Sequence, residues 1–171
     1  MGIGSMRLFL SLPWAAALAA CAAIPPAPDP YAQPAPGADV PSGPAAPAPT
    51  HVLDRDTAFR LRNNSGITLQ WIGWDERGQV QVAEGDDGVW RLSGRQRGGG
   101  GSVSVQGVVS EIGSDYFLLD GTVRIENAPN RGRLCERDKV WRFAVTQNRK
   151  YWRLREFEWC DHLTDYIDIY F

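Results

Sequence analysis

Eleven of the twelve prolines in this 171-residue chain lie before residue 50, and that break decides which part of it can pack. Residues 22–50 are mostly Ala and Pro with scattered Gly and Ser. Such a composition buries too little apolar area to offset the entropy of ordering, and it favours extended polyproline II. At ~3.1 Å per residue the stretch reaches roughly 90 Å when extended, so it reads as a disordered tether. The folded part is then residues 51–171, about 120 residues, which suits one domain with its own core and is too short for two. Only Arg7, Asp29 and Asp39 are charged in the first fifty residues, so the remainder is close to neutral with both signs interspersed. Nucleic-acid partners, which call for clustered Lys and Arg on one face, are excluded on that ground.

Period-two alternation recurs from residue 58 onward, and no window of a dozen residues carries a helical stripe. The fold class is therefore all-β. Strands are expected at 57–62, 66–74, 78–83, 88–97, 101–112, 115–126, 139–147, 150–158 and 165–171, separated by Gly-, Asn- and Asp-rich turns such as Asn63-Asn64-Ser65-Gly66 and Gly98 to Gly101. Links of hairpin length make an antiparallel meander, and closing or strongly curling it into a small β-barrel removes exposed edges. Trp90-Arg91-Leu92, Trp141-Arg142-Phe143 and Trp152-Arg153-Leu154 repeat one pattern, with two apolar residues on one face and Arg on the other. Phe117, Leu119, Val123 and Ile125 share a face, as do Val103 and Val105, and as do Ile167, Ile169 and Phe171; these form the expected core. Gly107 and Gly121 fall on core-facing positions, where a missing side chain marks a bend or close packing.

The apolar run from Leu8 to Ala20 follows Arg7 and is too short to span ~30 Å of hydrocarbon as a helix, so it reads as a targeting segment. It ends Leu18-Ala19-Ala20-Cys21, which resembles the lipobox of bacterial lipoproteins. The resemblance implies cleavage before Cys21 and lipidation of its sulfur, giving a signal peptide at 1–20, a lipidated Cys and linker at 21–50, and one β domain at 51–171. It also implies a membrane partner reached through that lipid. Ala22 rather than Asp after the cysteine implies the bacterial outer membrane, with the domain in the periplasm or at the cell surface. An ordinary signal peptide cut near Ala20 or Ala22 is the alternative. Three cysteines are an odd number for an exported chain. If Cys21 carries lipid, Cys135 and Cys160 are left as one disulfide pair, and without CxxC spacing they make a poor metal site.

The densest polar cluster is Glu156, Glu158, Asp161, His162, Asp165 and Asp168. No glycine-turned loop of alternating oxygen ligands accompanies it, so no metal or other cofactor is expected. The histidines, His51 and His162, have no nucleophile motif beside them, so a non-catalytic role is expected over an enzymatic one. Asp168 is expected to pair with Arg153 or Arg155. Of six tryptophans in the domain, Trp71, Trp74 and Trp159 have the least obvious core partners. Together with Tyr166, Tyr170, Arg153, Arg155 and Asp168 they form a candidate binding surface for an envelope protein or glycan. Lysozyme inhibitors that are lipidated, disulfide-bearing small β-barrels resemble this architecture, although no residue motif of theirs is present. Two alternatives stand beside this. A small-ligand barrel or envelope hydrolase would show a deep cavity with converging carboxylates. An integral outer-membrane β-barrel is suggested by Ile167-Asp168-Ile169-Tyr170-Phe171, which resembles the last strand of such barrels.

Overall fold

The structure, a computed structural model, describes residues 45–171. Strand β1 (His51–Val52) leads into helix α1 (Arg55–Arg62), followed by β2 (Gly66–Leu69), β3 (Gln79–Glu84), β4 (Trp90–Gly98), β5 (Gly101–Ile112), β6 (Tyr116–Glu126), β7 (Leu134–Ala144), β8 (Tyr151–Leu154) and β9 (Ile167–Tyr170). From β3 to β9 each strand pairs antiparallel with the next, and β2 returns to pair with β9. Strand β1 lies parallel to the end of β5, meeting Glu111 and Ile112 just beyond the point where β4 stops pairing.

Closing the circle requires β2 to pair with β3, and there a single bridge forms, between Ile67 and Gly78. Its two backbone hydrogen bonds measure 3.1 and 2.8 Å. The domain is therefore an all-β antiparallel sheet, nearly closed as a barrel, with one unsealed seam. Gly78 makes even that bridge feasible, because a Cβ there would stand 2.1 Å from the Arg95 carbonyl oxygen. Beyond the bridge a side chain substitutes for the missing strand pairing. Buried Gln96 of β4 accepts from the Leu69 N–H at 2.6 Å and donates to the carbonyls of Gly73 and Glu76 at 2.9 and 2.8 Å.

The interior is filled by one apolar cluster. Phe117 stacks on Phe143 with centroids 5.0 Å apart and meets Trp152 edge-on at 5.7 Å. Each such fully buried side chain stabilises the fold by about 1.5–3 kcal/mol. Every residue of the expected core is buried except Phe171, which is partly exposed and packs against the cluster from outside. Gly107 faces Gly121 across β5 and β6, and a Cβ on either would come within 2.2 Å of the opposing backbone carbonyl. The hairpin is pinched there, and a register shift between Val109 and Glu111 bends it further.

Strands β5 and β6 fall where alternation places them. The expected strands 139–147 and 150–158 stop at Ala144 and Leu154, the latter followed by a loop too long for a hairpin, and three further expectations need correction. Residues 57–62 are helical, not a strand. Asp54 caps α1, its carboxylate accepting the Thr57 N–H at 2.7 Å, while Asp56 in the first turn and Arg60 and Arg62 in the last complement the helix dipole. The expected strand 66–74 ends at Leu69, where the N–H groups of Ile72 and Gly73 both turn back onto the Leu69 carbonyl. Strand β7 begins at Leu134 rather than 139, because residues 136–138 are exposed on both faces and give no alternation to read.

Because the strands alternate in direction, the connections sort to two ends. One end carries α1 and the turns 85–89, 113–115 and 145–150. The other carries residues 70–78, the Gly99-Gly100 hairpin, the loop 127–133 and the loop 155–166.

Candidate functional site

At the second end Arg133 organises three loops. Its guanidinium is almost completely buried and bonds both oxygens of Asp165, at 3.0 and 2.8 Å, both oxygens of Asp161, at 2.8 and 2.9 Å, and the Ala128 carbonyl at 2.7 Å. Asp165 also accepts the indole N–H of Trp71 at 2.9 Å. Gln70 ties the same connection to the 155–166 loop, through its N–H to the Tyr166 carbonyl at 3.2 Å and its side-chain amide to the Thr164 carbonyl at 2.7 Å. The disulfide between Cys135 and Cys160 fastens this loop to the start of β7, with Cα atoms 6.0 Å apart. These bonds fix Trp71 at its polar edge while 38% of the residue stays exposed.

A second cluster continues onto the outer face of β8, β9 and β2. Register places Arg153 beside Asp168 and Asp168 beside Thr68. Arg153 bonds Asp168 through two nitrogens, both at 2.7 Å. Its guanidinium lies 4.0 Å from the Tyr166 ring centroid, 5.1 Å from Tyr151 and 5.9 Å from Trp74, within cation–π reach of all three. Tyr170 packs against Tyr151 at 5.3 Å, its hydroxyl lies 3.1 Å from the Thr68 hydroxyl, and Arg77 sits 3.8 Å over its ring. Asp168 is consequently buried although it points outward from the barrel. Trp74 remains 42% exposed.

The electrostatics follow from these contacts. Burial pushes the Asp168 carboxyl above its ordinary range, and the hydrogen bonds and charge of Arg153 oppose that rise. Hydrogen bonding to Arg133 holds Asp161 below the usual carboxylate range. Hydrogen bonding to Asp161 and Asp165 raises Arg133, and bonding to Asp168 raises Arg153, so both stay cationic.

Six of the eight surface residues read from the sequence thus meet on one flank: Trp71, Trp74, Tyr166, Tyr170, Arg153 and Asp168. The other two do not. Trp159 is 7% exposed and meets Trp141 edge-on at 5.3 Å, because its neighbour Cys160 is drawn in by the disulfide. Its indole nitrogen has no hydrogen-bond partner among the described residues. Arg155 is exposed, and its backbone N–H extends the β7–β8 pairing by bonding the Arg142 carbonyl at 2.9 Å. Sequence reasoning missed Arg133, Tyr151 and Arg77. Arg133 lies in a loop without periodicity, whereas Tyr151 shares the outward parity of Arg153 and could have been found by it.

Chemically this flank offers aromatic faces and paired charges. Asp165 and Asp168 each face their own arginine and do not converge on a common space. Cys135, Cys160 and Asp161 come close enough to suggest a metal site, but both sulfurs are spent in the disulfide. Cys21 lies outside the described residues.

Fold and flank together define a small β-barrel-like domain with a filled interior and an outer surface of aromatic rings and arginines. The chain belongs to the PM1083 family, whose model matches residues 49–171 and so spans α1 and all nine strands. A relative in Pasteurella multocida (strain Pm70), called Uncharacterized protein PM1083, is 39% identical over 114 residues, covering 66% of this chain and 74% of that protein. No solved structure matches the chain.

Proposed function

We propose that this is a non-catalytic protein-binding domain of the bacterial envelope, held at the outer membrane by lipid on Cys21 and contacting its partner through the Trp71–Trp74 flank. The observation that carries the reading is that Trp71 and Trp74 stay exposed, Trp71 hydrogen-bonded to Asp165 through its indole N–H and Trp74 5.9 Å from the Arg153 guanidinium. Exposed aromatic rings with restricted freedom lose little entropy on association, and Trp, Tyr and Arg are the residues that most often dominate interface energies. A glycan could also stack on such rings, but the two cations alongside, Arg77 over Tyr170 and Arg153 beside Tyr151 and Tyr166, sit in the manner of a protein hot spot.

The filled interior speaks against a small-ligand barrel, and the separately paired carboxylates against a hydrolase. Strand exteriors carry Arg91, Arg95, Arg97, Asp120, Arg124, Glu136 and Asp138, where an integral barrel needs an apolar band. Alanine at Trp71 and Trp74 tests the reading. Both variants should lose a partner captured by the parent protein; Trp74→Ala should keep its thermal midpoint, while Trp71→Ala, which removes a hydrogen bond to buried Asp165, should lower it modestly. Capture unchanged in both contradicts it. A lysozyme, of the host or of the cell itself, is the first partner to assay, by inhibition of its turnover. Labelling with an alkyne fatty acid tests the anchor, and equal labelling of the parent and Cys21→Ala proteins contradicts lipidation there.

A further inference from the structure

The opposite end of the barrel has a different surface chemistry. Leu53 is 57% exposed, Phe59 is 69% exposed, and Val52 is exposed beside them. Val52 and Phe59 border a shallow depression with Arg55 and Arg62. One residue further along α1, Arg60 lies 5.2 Å from the Phe171 ring centroid. It lines a second depression, of about 570 Å³, together with Arg149 and Lys150 from the turn between β7 and β8. Asp115 is the acidic side chain on that wall. Among the described residues, Arg60, Arg149 and Lys150 form no ion pair. The turn that presents the last two puts Gln147 and Asn148 both at φ 56°, a left-handed conformation that is costly for Gln, and closes with the Arg149 N–H on the Thr146 carbonyl at 3.1 Å.

Apolar side chains of this kind, adjoining cations that pair with aromatic groups (Arg60 with the Phe171 ring, Arg149 with the Tyr151 hydroxyl) and with no carboxylate among the described residues, match what an interfacial membrane contact requires. Rings and aliphatic chains enter the headgroup boundary, while Arg and Lys reach lipid phosphates. The chain also joins the domain at this end. Thr50 is pinned there by its N–H to the Gly88 carbonyl at 3.0 Å and its hydroxyl to the Val109 carbonyl at 2.6 Å.

We propose that the α1 end of the barrel is a lipid-facing surface that docks on an anionic bilayer. Val52, Leu53 and Phe59 enter the headgroup boundary, and Arg60, Arg149 and Lys150 take lipid phosphates. The proposal rests on the reading of the chain as membrane-tethered and adds an orientation to it: the Trp71–Trp74 end then points away from the bilayer.

The test uses a chain beginning at Ala22. It keeps the core, the disulfide and every strand pairing, all of which lie within residues 51–171, and it lacks both the apolar run and Cys21. Its sedimentation is measured with vesicles of equal parts phosphatidylglycerol and phosphatidylcholine, and with vesicles of phosphatidylcholine alone. The protein should bind the anionic vesicles, release with added salt, and bind the neutral ones far less. Leu53→Ser with Phe59→Ser, and separately Arg149→Ser with Lys150→Ser, should each weaken binding roughly tenfold without moving the thermal midpoint, while Trp74→Ala leaves it intact. No binding to the anionic vesicles, or binding unchanged in both double variants, overturns the proposal. Because Cys21 is absent from this chain, a failure of lipid labelling at Cys21 would remove the anchor and leave the vesicle result standing.

Discussion

The side-chain oxygen of Gln96 accepts the backbone N–H of Leu69 at 2.6 Å, across the one seam where the sheet does not pair. The same amide donates to the Gly73 and Glu76 carbonyls, so one side chain satisfies three backbone groups, of which the Leu69 N–H belongs to a buried residue. Removing a partner from a buried donor costs its desolvation. Gln96→Leu should therefore lower stability by about 3 kcal/mol, measured by urea denaturation. Gln96→Glu, which keeps an acceptor but loses both donors and adds a buried charge, should be no milder. A loss below about 0.5 kcal/mol in either variant would mean that the seam does not depend on this residue.

Arg133 and Asp165 form a buried charge pair in which each needs the other. Arg133→Met should cost about 3–5 kcal/mol, because the buried Asp165 carboxyl loses its charge partner and two hydrogen bonds. The double variant Arg133→Met with Asp165→Leu should recover a substantial part of that. A double-mutant cycle measures the coupling, and additive losses would contradict it.

Breaking the disulfide with Cys135→Ala and Cys160→Ala removes a crosslink of sequence separation 25. The loop-entropy model puts the loss at about 3.5 kcal/mol. Equilibrium unfolding of the oxidised parent against the variant checks it, and equal midpoints would show that the network of Arg133 alone holds the loop.

The two shifted aspartates act in opposite directions with pH. Asp161 is held below its ordinary range by Arg133, so its contribution is present above the unfolded value near ~3.9 and is lost as pH falls through the lower folded value. Asp168 is raised by burial, so its contribution is present at low pH and is lost as pH rises through that higher folded value. Asp161→Asn should flatten the acid limb of a thermal stability profile, whereas Asp168→Asn should flatten its slope above the ordinary carboxylate range. Profiles parallel to the parent in both variants would contradict these assignments.

What the sequence made legible follows its periodicities. The hairpin of β5 and β6 was readable because Val103, Val105, Leu119, Val123 and Ile125 alternate cleanly and glycines mark the turns. Helix α1 was not, because Phe59, Arg60, Leu61 and Arg62 alternate like a strand; in the fold Leu61 is buried and Phe59 exposed, which only a helical turn allows. Its cap, Asp54 three residues before Thr57, was the available signal. The outward parity of Arg153, Asp168 and Tyr170 along β8 and β9 made part of the flank visible. Arg133 and the inward turn of Trp159 were not visible, since both depend on how two loops are drawn together by a disulfide and two aspartates.

The binding role of the Trp71–Trp74 flank is tested most directly in living cells, by placing a photo-crosslinking amino acid at position 74 and, as a control, at position 136 on the exposed outer face of β7. The account predicts a discrete covalent adduct with one envelope protein from position 74 and none from position 136. No adduct from position 74, or the same adduct from both positions, would contradict it.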